Sequence, residues 1–418
     1  MGRLLAVIGP GVLVAATGVG AGDLSTAGLA GARFGVALAW AVVLGAVLKW
    51  AVTEGLARYQ LATGETMLAG AFDRLGAWAA WVFLVYLAAW TLFVGAALMS
   101  ACGSAAGAMA PLTGEAGTDK LIWGASHSAA AAGLVVLGGY RLFERVMAVC
   151  VGAMFVCVVG TAALVLEDPA GLLRGLVVPS VPSGSAGGDG LSWAVALVGG
   201  VGGTVTVLCY GYWIREEGRS GAGELARCRV DLALGYAATA VFGVSMLVIA
   251  SGTAATGSGV GFVVGLGDRL GSAAGSWARW VFLAGAWAAV FSSMLGVWQA
   301  TPYLFAEAWG LRRGKGGGAD ARCVVWRGQP RAYWSWLAVV STVPAVGMMV
   351  EFATVQRVYA VFGAMFVPLL AAGLLVLLGG RGGVGELRNR WWSVVLLAGA
   401  VVGAGGLVVR AVVRVVGG

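Results

Sequence analysis

Eleven apolar stretches follow one another along this chain, most of them as long as the ~20 residues that cross a bilayer, and they constrain its fold more than any other feature. They run at about 4–33, 35–57, 77–101, 122–139, 143–166, 191–214, 230–251, 277–308, 333–350, 354–379 and 391–413, and are called segments 1 to 11 below. In hydrocarbon each backbone N–H and C=O needs a partner inside the protein, so continuous apolar stretches of this length must be helices. The expectation is an all-α integral membrane protein of about eleven transmembrane helices. Only 11% of the residues are charged, less than half of the quarter or so found in soluble domains, so water is not the main solvent. The 71 glycines show no collagen-like period and suit closely packed membrane helices, and the 18 Trp suit the headgroup region.

The net charge of +8 raises the question of a nucleic-acid partner, and the placement of the charges answers it. With the N-terminus inside, eighteen of the 27 basic residues fall on the cytoplasmic side, eight outside, and Lys49 alone in mid-segment. The basic excess is topological, with the N-terminus cytoplasmic and the chain in the cell's inner (plasma) membrane. The six Cys form no CxxC pair, so neither a disulfide frame nor a structural zinc site is expected. The apolar stretch from Leu4 runs on into the next without a small-residue cleavage context, so no cleavable signal is expected. No nucleophile–base constellation or phosphate-binding loop is present, which argues against an enzyme, and no cofactor is implied.

Segments 1 and 6 are interrupted by glycine: Gly18, Gly20 and Gly22 in one, Gly202, Gly203 and Gly211 in the other. Two broken helices five positions apart are the mark of transporters built from inverted repeats. The expectation is that segment 1 unwinds around Gly18–Gly22 and segment 6 around Val207–Gly211, facing each other at the midplane. The chain then reads as a single transmembrane domain, 1–418. Its repeats cover about 1–166 and 191–379, with an extra helix at about 391–413.

The stretch from Gly9-Pro10 to Gly31-Ala32-Arg33-Phe34-Gly35 resembles the first helix of the Nramp family of divalent-metal transporters. The resemblance continues in Gly95-Ala96-Ala97-Leu98, Tyr140-Arg141 with Glu144, Val178-Pro179-Ser180-Val181-Pro182, Ser292-Ser293 and Pro344-Ala345. It covers nearly the whole chain and implies a LeuT-type fold, a 5+5 inverted repeat with helices 1 and 6 broken. It also locates departures. The family's Asp-Pro-Gly-Asn falls on Gly20-Ala21-Gly22-Asp23, so the usual acidic ligand is lost and an acid stands at the Asn position. The family's Met-Pro-His falls on Val207-Leu208-Cys209, without the thioether that favours soft ions. Its proton-route residues fall on Ala89, Leu92, Ala338 and Cys209, none able to relay a proton at neutral pH.

What remains is a short set of candidates. Asp23, an intramembrane carboxylate, is either the ligand of a metal or other substrate, or the cap of the second half of a broken helix, or both. Lys49 stands near the midplane, with Glu54 and Arg58 following it and Arg215, Glu216 and Glu217 ending segment 6. These charges are either a structural network at the cytoplasmic mouth, or Lys49 stands in for a coupling cation or repels a bare divalent ion. Two charges at ~4 Å interact by roughly 4 kcal/mol at an effective dielectric of 20, enough to compete with a metal. Cys209 and Tyr210 flank Gly211, and with Tyr212 and Trp213 they could line a pocket for an organic solute. Gln299 is a neutral oxygen donor, and the single His, His127, reads as a packed side chain.

The sequence thus points to a secondary transporter of a cation, with a hydrated divalent ion such as magnesium suiting a hard ligand set better than iron or manganese. A carrier of an amino acid or amine is a second reading, and a sensor or partner subunit without transport a third. The expected partners are the bilayer and a small substrate, with no nucleic acid and no obligate protein.

Overall fold

The computed structural model describes residues 9–182, 190–200, 202–252, 260–312, 330–350, 352–380 and 384–416. Among them every regular element is a helix. Segments 2, 3, 7 and 8 become Ala39–Thr63, Ala77–Met109, Leu225–Ala250 and Ser276–Arg312, and segments 10 and 11 become Phe352–Leu377 and Trp391–Val416. Segment 9 is Pro330–Thr342, which tightens into 3₁₀ turns over Val343–Met349 where Pro344 can no longer donate an N–H.

Segments 4 and 5 form one helical run of 50 residues, Ala116–Val165. At about 1.5 Å per residue it would be roughly 75 Å long, more than twice the ~30 Å of hydrocarbon. Gly139 divides it, with φ 56° and ψ −164°, a conformation that a side chain would resist. Each part then has the length of one pass. Seven described runs are long and apolar enough to span a membrane, this double one among them, and segments 1, 10 and 11 bring the passes to eleven.

Large apolar side chains on the outer surface stay exposed to the surroundings, among them Leu137, Val149, Val156 and Met349. In a membrane protein that surface meets lipid rather than water. Exposed tryptophans collect near helix starts: Trp78 and Trp81, Trp277 and Trp280, Trp334 and Trp391. These are the depths at which an indole ring meets headgroups. Three short helices do not span: Met67–Leu75, Pro169–Val177 and Val260–Ala274. The first two are capped by side chains, Thr66 accepting from the Ala69 N–H at 3.2 Å and Asp168 from the Gly171 N–H at 2.8 Å.

Segment 1 breaks as its glycines predict, into Pro10–Gly18 and Ala21–Phe34. Segment 6 also breaks, but earlier than expected. Its first helix is Gly190–Gly200, Gly202 and Gly203 take φ of +85° and +83°, and Val205–Cys209 is a 3₁₀ turn leading into Tyr210–Glu216. Val207 therefore lies in a tightened turn, and Gly211 lies inside a helix. Gly211 is small for another reason: Gln60 of segment 2 presses on it and donates its Nε2 to the Gly211 carbonyl, so a methyl group there would collide with the amide.

Candidate functional site

The two breaks meet. A methyl group on Gly18 would collide with the backbone of Gly202 and Gly203, so the chains touch where both helices are unwound. Unwinding frees carbonyls, and neighbouring segments answer them. Ser293 of segment 8 donates to the Thr17 carbonyl at 2.7 Å, and a methyl group on Gly20 would come within 2.6 Å of the same hydroxyl. Asp23 begins the second half of segment 1, in the first turn of Ala21–Phe34. Its side chain lies outside what the structure describes. Thr204, just after the positive-φ glycines, has a buried hydroxyl with no hydrogen-bond partner among the described residues.

Lys49 reaches this junction from segment 2. It is 1% exposed, and its Nζ donates to the carbonyls of Gly199, at 3.2 Å, and Gly203. These oxygens belong to the C-terminal end of Gly190–Gly200 and to the break after it, where a helix carries about half a negative charge. A lysine at a membrane centre costs roughly 2.5–3.5 kcal/mol on insertion scales. A hydrogen bond to a charged group returns about 1.5–3 kcal/mol. Two such bonds are enough to keep the ammonium there.

Among the described residues, the charges that follow Lys49 on segment 2 and those that end segment 6 form groups of their own. Glu54, fully buried, accepts from Arg58 Nε at 2.7 Å and from Arg229 at 2.8 Å. Arg58 also donates to Ser393 at 2.6 Å and to Asn389 at 3.2 Å, tying segments 2, 7 and 11 together. Glu216 accepts from the Tyr303 hydroxyl at 2.9 Å, and Glu217 pairs with Arg219 at 2.5 Å. Burial pushes the Glu217 carboxyl above its ordinary range, and the Arg219 guanidinium opposes that shift.

Two acids that sequence reasoning passed over hold the same region. Asp231 accepts from the Gly11 N–H at 2.8 Å, from Arg219 at 3.1 Å and from the Tyr210 hydroxyl at 3.4 Å, and so anchors the start of segment 1 to segments 6 and 7. Glu307 accepts from Thr66 at 2.7 Å and from the Tyr212 hydroxyl. Both lie inside predicted apolar segments, and an acid within such a segment was the available signal.

The remaining candidates spread out from the breaks. Val207 is buried in the 3₁₀ turn, and the Cys209 thiol donates to the Ala300 carbonyl at 3.5 Å. Gln299 accepts from Trp213 Nε1 at 2.7 Å and borders a cavity of about 220 Å³. Glu216, Tyr140, Tyr303, Tyr333 and Trp334 line that cavity too, and Gly139 forms its corner. A larger cavity of about 790 Å³ lies among the opposite segment ends, with Phe34, Glu167, Asp168, Arg174 and Arg269 in its wall. Among the described residues no group of three or more His, Cys, Asp or Glu comes together to hold a metal. His127 accepts from Trp287 Nε1 at 2.8 Å and faces the Trp123 carbonyl through Nδ1, a packed ring rather than a ligand.

Leu92 and Ala338 face outward, so the residues of segments 3 and 9 that turn inward are others, including Trp90, Thr91 and Val94 on segment 3. Shifting the register restores nothing. Ala77–Met109 contains no ionisable residue other than Tyr86 and Cys102, and Pro330–Thr342 has Arg331 at its first turn and Tyr333 beside the smaller cavity.

The Natural resistance-associated macrophage protein-like family, Nramp, is matched by residues 11–414. The chain belongs to the Nramp family. Nramp proteins are membrane transporters rather than enzymes. Two curated relatives are similar over part of their length. A divalent metal cation transporter, MntH, of Chromohalobacter salexigens is 29% identical over 191 residues, 43% of this chain and 41% of that one. An uncharacterized Pasteurella multocida protein is 24% identical over 283 residues, 66% and 64% of the two chains. Both matches therefore span less than two thirds of the relatives. Among solved structures, the Eremococcus coleocola manganese transporter bound to an aromatic bis-isothiourea substituted compound is similar with a TM-score of 0.74. That comparison has 16% identity and covers 98% of this chain and 87% of the other. Its E129A mutant gives 0.75 at 17% identity. At such identity the likeness speaks for the fold, and the Nramp fold is the LeuT-type arrangement expected from the two broken helices.

Proposed function

We propose that this Nramp-family chain is a secondary transporter of a divalent cation that keeps much of its water, magnesium before iron or manganese. The observation that carries the proposal is the donor chemistry at the meeting of the two breaks. Asp23 is the one acid in either break, Gly20 and Val207 stand where the family has an acid and a thioether, and the ammonium of Lys49 holds nearby carbonyls. Such a set offers hard oxygens and no soft sulfur ligand besides the buried Cys209 thiol. The substrate-binding residues on this reading are Gly20, Asp23, Val207, Cys209, Tyr210 and Gln299, with Asp23 the metal ligand. Segment 3 carries no carboxylate, histidine or basic side chain, which supports transport that is not coupled to protons by the family's route. The chain sits in the plasma membrane with a cytoplasmic N-terminus, as two inverted repeats, about 1–166 and 191–379, and an appended helix.

Calorimetry with manganese on the purified chain tests the ligand set. The expected affinity is at least ~10-fold poorer than that of an Nramp site with the full motif. A low-micromolar affinity that Asp23→Ala abolishes would restore the ordinary family chemistry. One observation favours a second substrate class. The cavity beside Glu216 and Gln299 is walled by Tyr140, Tyr303, Tyr333 and Trp334, and aromatic faces with a carboxylate suit an organic ammonium. Uptake of amines and amino acids belongs in the same panel.

A further inference from the structure

Lys49 does more at the breaks than neutralise a helix end. Gly199 and Gly203 are four residues apart, on either side of the point where segment 6 leaves its helix, and one Nζ bonds both carbonyls. Carbonyls gathered from an unwound helix are the ligands from which transporters build monovalent-cation sites. An ammonium is itself a monovalent cation of that size class, with three donors to spend on oxygens. The Gly18 contact holds Gly203, together with Gly202, from the other side, so the backbone that carries the Gly203 oxygen is pinned between segment 1 and the amine.

We propose that the Lys49 ammonium is a tethered cation that permanently fills a monovalent-ion site formed by the carbonyls of Gly199 and Gly203, so the cycle needs no free ion there. This deepens the transporter reading and rests on it only for the meaning of the site. The occupancy itself is read without any substrate.

The test is thermal unfolding of the full chain in detergent, with wild type compared with Lys49→Ala in ~100 mM sodium, methylammonium or choline chloride, a concentration at which even weak binding to the native state shows. Wild type is expected to melt at one temperature in all three salts. Lys49→Ala is expected to melt lower in choline and to recover at least half of the loss in sodium or methylammonium, which fit the vacated space. Equal recovery in choline, or none in any salt, would overturn the proposal, as would a Lys49→Met protein as stable as wild type. Should Lys49→Ala not fold, yields of Lys49→Arg and Lys49→Met decide: folded arginine and unfolded methionine variants support a required cation, and equal yields refute it. A failure of ion uptake would leave these melting shifts unchanged, so the two readings fail separately.

Discussion

At the scale of single residues, contact at the breaks depends on the absence of a side chain. Gly18→Ala puts a methyl group into the backbone of Gly202 and Gly203, and overpacking of this kind costs about 1–3 kcal/mol. Gly265→Ala is the control, because a methyl group at that position in Val260–Ala274 meets nothing within 4 Å. The expected outcome by melting in detergent is a clear loss for the first and no loss for the second. Asp231→Leu is expected to cost about 1–3 kcal/mol as well, since it strips a buried acceptor from Arg219 and from the Gly11 N–H. Faster hydrogen exchange at the Gly11 amide would locate the effect. A Gly11 amide as protected as in wild type would show that Asp231 does not anchor segment 1.

At the scale of elements, Glu54 is the rivet between segments 2 and 7, and Arg58 carries the link on to segment 11. Glu54→Gln leaves two guanidinium groups short of a counter-charge in the interior, where breaking a buried pair costs about 3–5 kcal/mol. Glu54→Leu with Arg229→Leu should lose less than the sum of the single changes, and strict additivity in a double-mutant cycle would deny the pairing. This is also the scale at which the sequence was most legible. Length and hydropathy gave the passes, with ends displaced by up to eight residues (101 against Met109 in segment 3), and glycine marked both broken segments. The position of the second break was misread because Gly211 looks like Gly202 and Gly203 in sequence. One glycine makes room for Gln60 and the other two supply positive φ. Only the three-dimensional neighbours separate those causes. The short helices were missed because stretches of 9 to 15 residues are too short to register as passes in a search for ~20-residue spans.

For the whole molecule, the family was readable in residues spread from Gly9 to Ala345, and the match over residues 11–414 agrees with it. The site was readable only in part. Lys49 stood out as a charge in mid-segment, but two of its partners are backbone carbonyls 150 and 154 residues away, and no side-chain pattern announces a carbonyl. Glu216 and Glu217 were grouped with it by nearness to the cytoplasmic end, whereas one bonds Tyr303 and the other Arg219. The measurement that bears most directly on the function is uptake into proteoliposomes loaded with a magnesium indicator and a pH-sensitive dye. Magnesium is expected to enter, manganese to compete at least ~10-fold less well than in full-motif relatives, and the lumen not to acidify as the ion enters. Manganese uptake at low micromolar concentration with matching acidification, lost in Asp23→Ala, would contradict both the hard-ion site and the absence of proton coupling.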